Sequence, residues 1–204
     1  VETASLSGRS LPSGADFTAP LALGLSRERP EKIGLPAMLD PERFASTARL
    51  TQVQPYDPEK IPVLFVHGLQ STPVTWVPLV NTIWADPILR RNYQVWVFSY
   101  PSGYPIPYSA LLLRRELDAL NKTFPNHRQI VLVGHSMGGM VISQVAERQP
   151  DKVRALAYVA GFLLRDGQSV LDAAQTDGES LLMPSLEWAA DGLSAVVPPV
   201  AARN

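Results

Sequence analysis

The chain contains no cysteine, which removes disulfides, thiolate nucleophiles and cysteine-based zinc sites, and leaves the redox compartment unread. A cationic excess is missing too: 18 Lys and Arg stand against 19 Asp and Glu. Such a balance neither neutralises a phosphate backbone nor grips an anionic membrane surface, so nucleic acid is not an expected partner. No stretch approaches the roughly 20 consecutive apolar residues of a membrane-spanning helix, so no integral membrane segment is expected and the chain reads as soluble or at most peripheral. It opens at Val1 without Met and without an apolar signal-peptide core, which reads as a processed or engineered start. The compartment stays open, with a secreted or periplasmic bacterial location as the expectation. Histidine is scarce: His67, His127 and His135 are the complete set. Neither a metal site nor a cofactor is expected.

What is present is the composition of a folded protein. Hydrophobic residues make up 46% of the 204 residues and charged residues 18%, far from the disordered class and near the size of a single domain. Residues 1–60 read as an N-terminal arm and connection. The arm runs to about Pro30 with no sustained period, the apolar piece Leu21 to Leu25 included. In 31–60, Pro36, Pro41, Pro55 and Pro58 interrupt regular structure, leaving a short helix around Pro41 to Ala48 and an edge strand near Arg49 to Val53.

From residue 61 the pattern changes. Ile61 to Val66 is a near-continuous apolar run, the mark of a strand buried on both faces. The spacing of Trp76, Val80 and Ile83 or Trp84 predicts a helix from about Val74 to Ala85. Tyr93 to Tyr100 is a second strand, rich in aromatic and β-branched residues. A Pro and Tyr loop, 101–108, leads into a helix from about Ser109 to Thr123 whose apolar face is Leu113, Leu117, Leu120 and Phe124. A strand at Gln129 to Val133, a helix at Met137 to Arg148 and a strand at Val153 to Ala160 complete the series. Strands alternating with helices predict an α/β fold, a mostly parallel sheet flanked by helices, over 61–161. Past Gly161 the rhythm stops, and 162–204 offers short helices at Ser169 to Gln175 and near Leu186 to Ala190 but no convincing strand.

The chemistry is carried by Gly134, His135, Ser136, Met137 and Gly138, between the third strand and its helix. This is the G-x-S-x-G nucleophile elbow, a tight turn that holds serine in a strained conformation and points its Oγ out of the sheet. The helix that follows aims free N–H groups and a positive dipole end at the place where an oxyanion would form. A tight glycine turn without chemistry is the competing use, and the strand before and helix after favour the elbow. His67 and Gly68 close the first strong strand, and the loop there is where a second oxyanion donor is expected. The backbone N–H groups of Leu69 and Met137 are the candidates. His67 reads as hydrogen-bonded to its own loop in preference to acting as a base, His135 as packed beneath the elbow, and His127 as a solvated loop residue.

Residues from about 55 to 144, on the strength of Pro62 to Gly68 and the Gly134 to Gly139 elbow, resemble bacterial lipase and esterase members of the α/β-hydrolase superfamily. Residues from about 145 to 204, chiefly Val153 to Gly161 and Gly167 to Ala173, are similar to another branch, the small esterases and hydroxynitrile-lyase-like hydrolases, where this segment enters a cap over the active site. The two likenesses point to a truncated or chimeric chain. The resemblance implies a carboxylic ester hydrolase acting through an acyl-enzyme on Ser136. It also implies an acid and then a histidine downstream of the serine, and no histidine follows Ser136. Among the downstream carboxylates Asp166 is the candidate for an orienting acid, with a turn carboxylate as its competing use.

Trp76, Tyr100, Tyr104, Tyr108, Phe162 and Trp188 lie on loops or near helix ends on the elbow's side, which suits a small apolar ester. Of these, Tyr104 and Phe162 are the pocket candidates and Trp76 reads as core. Two other readings stand beside the esterase: an impaired hydrolase-derived scaffold or fragment that binds apolar ligands, and a homo-oligomer in which a second copy brings a histidine to Ser136.

Overall fold

The computed structural model describes residues 3–6, 9–12, 33–180, 183–190, 195–196 and 198. The chain divides into two compact units, Val1–Phe162 and Leu163–Asn204. Within the N-terminal arm, strands β1 (Thr3–Leu6) and β2 (Arg9–Pro12) pair antiparallel as a hairpin. The apolar piece at 21–25 lies outside the described residues.

Helix α1 (Gly34–Leu39) occupies a stretch expected to be connection. Its Pro36 falls in the first turn, where backbone N–H groups have no intrahelical partner, so the proline removes no bond. A 3-10 turn at Glu42–Thr47 and strand β3 (Arg49–Gln52) follow, close to their expected places. Strand β4 (Ile61–Val66) leads through a 3-10 turn at Pro73–Trp76 into α2 (Val77–Ala85). A second short helix, α3 (Pro87–Asn92), was not expected. It is set up by Asp86, whose carboxylate accepts from the N–H groups of Ile88 and Leu89 at 2.7 and 3.0 Å, with Pro87 at the first helical position. Asp86→Ala is expected to lower stability by about 1 kcal/mol in urea titrations; no change would mean that the cap does not hold the helix.

Strand β5 (Tyr93–Ser99), α4 (Ile106–Thr123), β6 (Ile130–His135), α5 (Gly138–Arg148) and β7 (Val153–Val159) complete the first unit. The sheet runs β3-β5-β4-β6-β7, with β3 antiparallel at one edge and the other pairings parallel. Its two faces divide the residues by the period of two along each strand. Leu64, Val66, Trp96, Phe98, Ile130 and Leu132 point to the face covered by α4 and α5, where Leu113, Leu117, Val141, Ile142 and Val145 meet them. Val63, Phe65, Val95 and Val133 point the other way, against Trp76, Val80 and Trp84. Each such side chain contributes roughly 1.5–3 kcal/mol by leaving water, and β4, buried on both faces, is the middle of both layers.

After β4 the chain moves to β5 on one side, and after β6 it moves to β7 on the other. The carboxyl ends of β4 and β6 are neighbours, with Val66 opposite Gly134. Loops leaving two adjacent strands in opposite directions open a crevice between them, and this is where open α/β sheets bind ligands.

In the second unit, α6 (Val170–Gln175) begins with a capping box in which Ser169 and Asp172 bond each other's backbone. The helix expected near Leu186 to Ala190 is not formed. Strand β8 (Glu187–Trp188) pairs there with β9 (Ala195–Val196). A five-residue run without a cap cannot offset helix nucleation, and two extended pairs satisfy the same backbone groups.

Candidate active site

Ser136 sits at the switch point, immediately after β6, with φ of 53°. This is the left-handed region, which costs a non-glycine residue on the order of 1–3 kcal/mol and persists only where neighbours impose it. Here they do. The Ser136 N–H donates to Ala160 O at 3.2 Å, and its carbonyl accepts from Gly139 N–H and Phe162 N–H, both at 3.1 Å. The residues that follow β7 therefore brace the turn, and Ser136 remains half-buried. The turn is compact enough that a Cβ on Gly134 would lie 2.7 Å from the Gly138 carbonyl.

The loop after β4 presses on this serine. A Cβ added to Gly68 would lie 2.7 Å from Ser136 Cβ and 3.2 Å from Ser136 Oγ, so only glycine lets the two backbones approach. Met137 is the residue before α5 and Leu69 follows Gly68. Among the described residues, neither Met137 N–H nor Leu69 N–H takes part in a backbone hydrogen bond. Met137 N–H lies at the start of an eleven-residue helix, where backbone donors have no intrahelical partner.

His67 is fully buried and spent on its surroundings. Its Nδ1–H donates to Gly68 O at 3.0 Å, its ring stacks on Tyr100 at 4.4 Å, and Nε2 faces the Tyr100 N–H at 3.4 Å. Burial is the main reason its pKa is lowered to about 4, with the neighbouring His135 adding to it. His135 is half-buried, edge-on to Trp76, with Nδ1 buried and unpartnered among the described residues. His127 is not the solvated residue its loop position suggested. It is half-buried, its ring edge-on to Trp96 and its Nδ1–H bonded to Arg128 O at 2.8 Å. The cause is the large Trp96 ring on β5, over which Tyr56, stacked on Phe124, also folds.

Of the pocket candidates, Phe162 is half-buried and tied to the elbow through its N–H. Tyr104 is buried just before α4, edge-on to the exposed Tyr108, and its hydroxyl is shifted upward chiefly by burial, with the Glu42 carboxylate adding to it. Trp76 is core, packed on Phe65 at 4.9 Å. Tyr100, expected on the open side, is also core. Trp188 is exposed in the second unit. Asp166 lies exposed in a turn closed by the Gln168 N–H donating to Arg165 O at 3.0 Å. Among the described residues no group of three or more His, Asp or Glu side chains could hold a metal ion, and no described helix is long and apolar enough to cross a membrane.

A model of the alpha/beta hydrolase family matches residues 63–203, which takes in most of β4, the Gly68 loop, the Ser136 turn and nearly all of the second unit. The chain belongs to that family. Pheophorbidase of Raphanus sativus is 36% identical over 130 residues, 60% of this chain and 48% of its own length. The carbendazim hydrolyzing esterase of Nocardioides sp. (strain SG-4G) is 48% identical over 42 residues, 21% of this chain and 17% of its own length. This alpha/beta hydrolase chain thus spans about half or less of the relatives it matches. Among solved structures, the mature Bacillus licheniformis lipase BlEst2 is similar at 19% identity and a TM-score of 0.44, over 65% of this chain and 54% of the lipase.

The reading from sequence missed three residues that shape the site: Ala160, whose carbonyl holds the serine turn; Ser102, whose Oγ accepts the Gln70 N–H at 3.1 Å; and Tyr100 as a partner of His67. Each acts across a sequence gap of more than 20 residues, and no local pattern signals such a contact.

Proposed function

We propose that this hydrolase cleaves small apolar carboxylic esters through an acyl-enzyme on Ser136. The single observation that carries the reading is the left-handed turn at Ser136 with the Gly68 loop against its hydroxyl. In the proposed step Oγ attacks the ester carbonyl carbon and the carbonyl electron pair moves onto oxygen, where Leu69 and Met137 N–H would hold it. Collapse expels the alcohol and leaves the acyl group on Ser136. Phe162, beside the turn, would flank the acyl chain. The esterase names of the relatives support the same class.

The hydroxyl proton is the weak point. No histidine follows Ser136 in this sequence, and the described contacts of His67, His127 and His135 are with groups other than Ser136. The proton passes to water or buffer, so acylation by this chain is slow. An oxyanion site and binding alone sustain roughly 10³–10⁴-fold over water in triad enzymes lacking one member, enough for turnover of activated esters.

The test is mass spectrometry after exposure to an alkyl fluorophosphonate. An adduct on the peptide carrying Ser136, absent in Ser136→Ala, is expected, together with a p-nitrophenol burst that the variant lacks. Without an adduct the esterase reading falls, and the fold remains as a scaffold for apolar ligands.

A further inference from the structure

We infer that Tyr100 and His67 form a latch that aims the Leu69 N–H at Ser136, making Tyr100 a positioning residue for the oxyanion site. The inference rests on the esterase reading above and adds to it the device that orients one of the two donors.

Two successive carbonyls of the loop after β4 are held by side chains. Tyr100 O–H donates to His67 O at 2.7 Å, and His67 Nδ1–H donates to Gly68 O at 3.0 Å. Among the described residues there is no cis peptide bond, and in a trans peptide the C=O and the following N–H point in opposite directions. Fixing Gly68 O towards the buried His67 ring therefore turns Leu69 N–H away from that ring. The face left to it is the one where Gly68 meets Ser136, since a Gly68 Cβ would be 3.2 Å from Oγ.

A carbonyl can only accept, so the bond to Gly68 O places the hydrogen on Nδ1. That leaves Nε2 with a lone pair facing the Tyr100 N–H at 3.4 Å. The same tyrosine thus contacts both sides of His67: its ring stacks at 4.4 Å, its hydroxyl takes the histidine carbonyl, and its backbone favours the tautomer that the Gly68 bond requires. Phe98, stacked on Tyr100 at 5.2 Å, backs the arrangement from the core. Further along, Ser102 Oγ accepts the Gln70 N–H, so the loop is anchored on both sides of Leu69 by residues that follow β5. Catalytic donors held in advance need no reorganisation when charge develops, and this is the function of such a latch.

The test uses Tyr100→Phe, which keeps the ring stack and removes the hydroxyl. The readouts are the second-order rate of Ser136 labelling by an alkyl fluorophosphonate and the ³¹P chemical shift of the adduct, whose P=O oxygen occupies the oxyanion position. The rate is expected to fall about tenfold, a fraction of the loss on deleting one such donor, and the ³¹P resonance to move. Leu120→Ala, a core change remote from the loop, controls for lost stability and should leave both readouts as in the wild type. Folded Tyr100→Phe with wild-type rate and shift overturns the latch. Should Tyr100→Phe not fold, His67→Gln, which retains a side-chain donor for Gly68 O, is compared with His67→Leu: faster labelling of the glutamine variant supports the latch, and equal labelling overturns it. A wild-type protein that takes no label removes the esterase reading and the latch with it, an outcome distinct from a labelled wild type with an indifferent variant.

Discussion

Gly138→Ala is expected to destabilise the protein by about 3 kcal/mol, lowering its melting temperature by roughly 6–12 °C. Helix propensity argues for the opposite sign, since Ala is favoured over Gly by up to about 1 kcal/mol inside a helix. Geometry decides against it. The new Cβ would lie 2.5 Å from the Val66 carbonyl oxygen and 2.7 Å from that of His67. Both are backbone atoms, Val66 closing the central strand of the sheet, so neither can rotate aside as a side chain would. Relief requires α5 to move from β4, which opens the core on that face and carries the Ser136 turn with it. Gly178→Ala is the matched control, because nothing lies within 4 Å of a Cβ there, and a change within about 0.5 kcal/mol is expected. Thermal melts followed by circular dichroism measure both. A Gly138→Ala protein as stable as the wild type would mean that the helix and β4 are not in the contact described.

Acidification from pH 6.5 to pH 4 is expected to remove about 3 kcal/mol of stability through one residue, His67. In the folded protein burial lowers its pKa from 6.5 to about 4. The unfolded chain therefore binds a proton in this window that the folded chain refuses. Stability is complete above pH 6.5, falls with pH across the window and levels off below about pH 4. Among the described residues no counter-charge faces His67, which meets Tyr100, the Gly68 carbonyl and, at longer range, His135. Asp118, held below the usual carboxylate value by its bond to Lys152, loses its contribution at lower pH, outside this range. Urea titrations at intervals between pH 4 and 7 give the slope directly. His67→Gln, which cannot titrate, should flatten it by the equivalent of one proton; an unchanged slope in that variant would assign the acid loss elsewhere.

How far the sequence could be read depends on the range of the forces involved. The strands β4 to β7 and helices α2, α4 and α5 were legible because a two-sided sheet imposes apolar runs on its central strands and a period near 3.6 on its covering helices. The sharp turn at Ser136 was legible because a strand-to-helix connection with no room for side chains confines glycine to fixed spacings. Helices α1 and α3 were not, since six residues are too few to show a period and their signals are a proline and a cap. Strand β8 was misread as helix for a similar reason: two residues of strand carry no alternation.

By itself the sequence determined the alternation of strand and helix, the site of the sharp turn at Ser136 and the lack of any histidine after it, all properties of residue type and local spacing. Only the tertiary structure decided that the Gly68 loop lies against that serine, that Tyr100 is a buried hydrogen-bond donor to the His67 carbonyl, and that His67 is buried and His127 half-buried. These depend on which strands become neighbours, as β4 and β6 do. That choice is made by the burial of whole faces of the sheet, to which residues far apart in the chain contribute together.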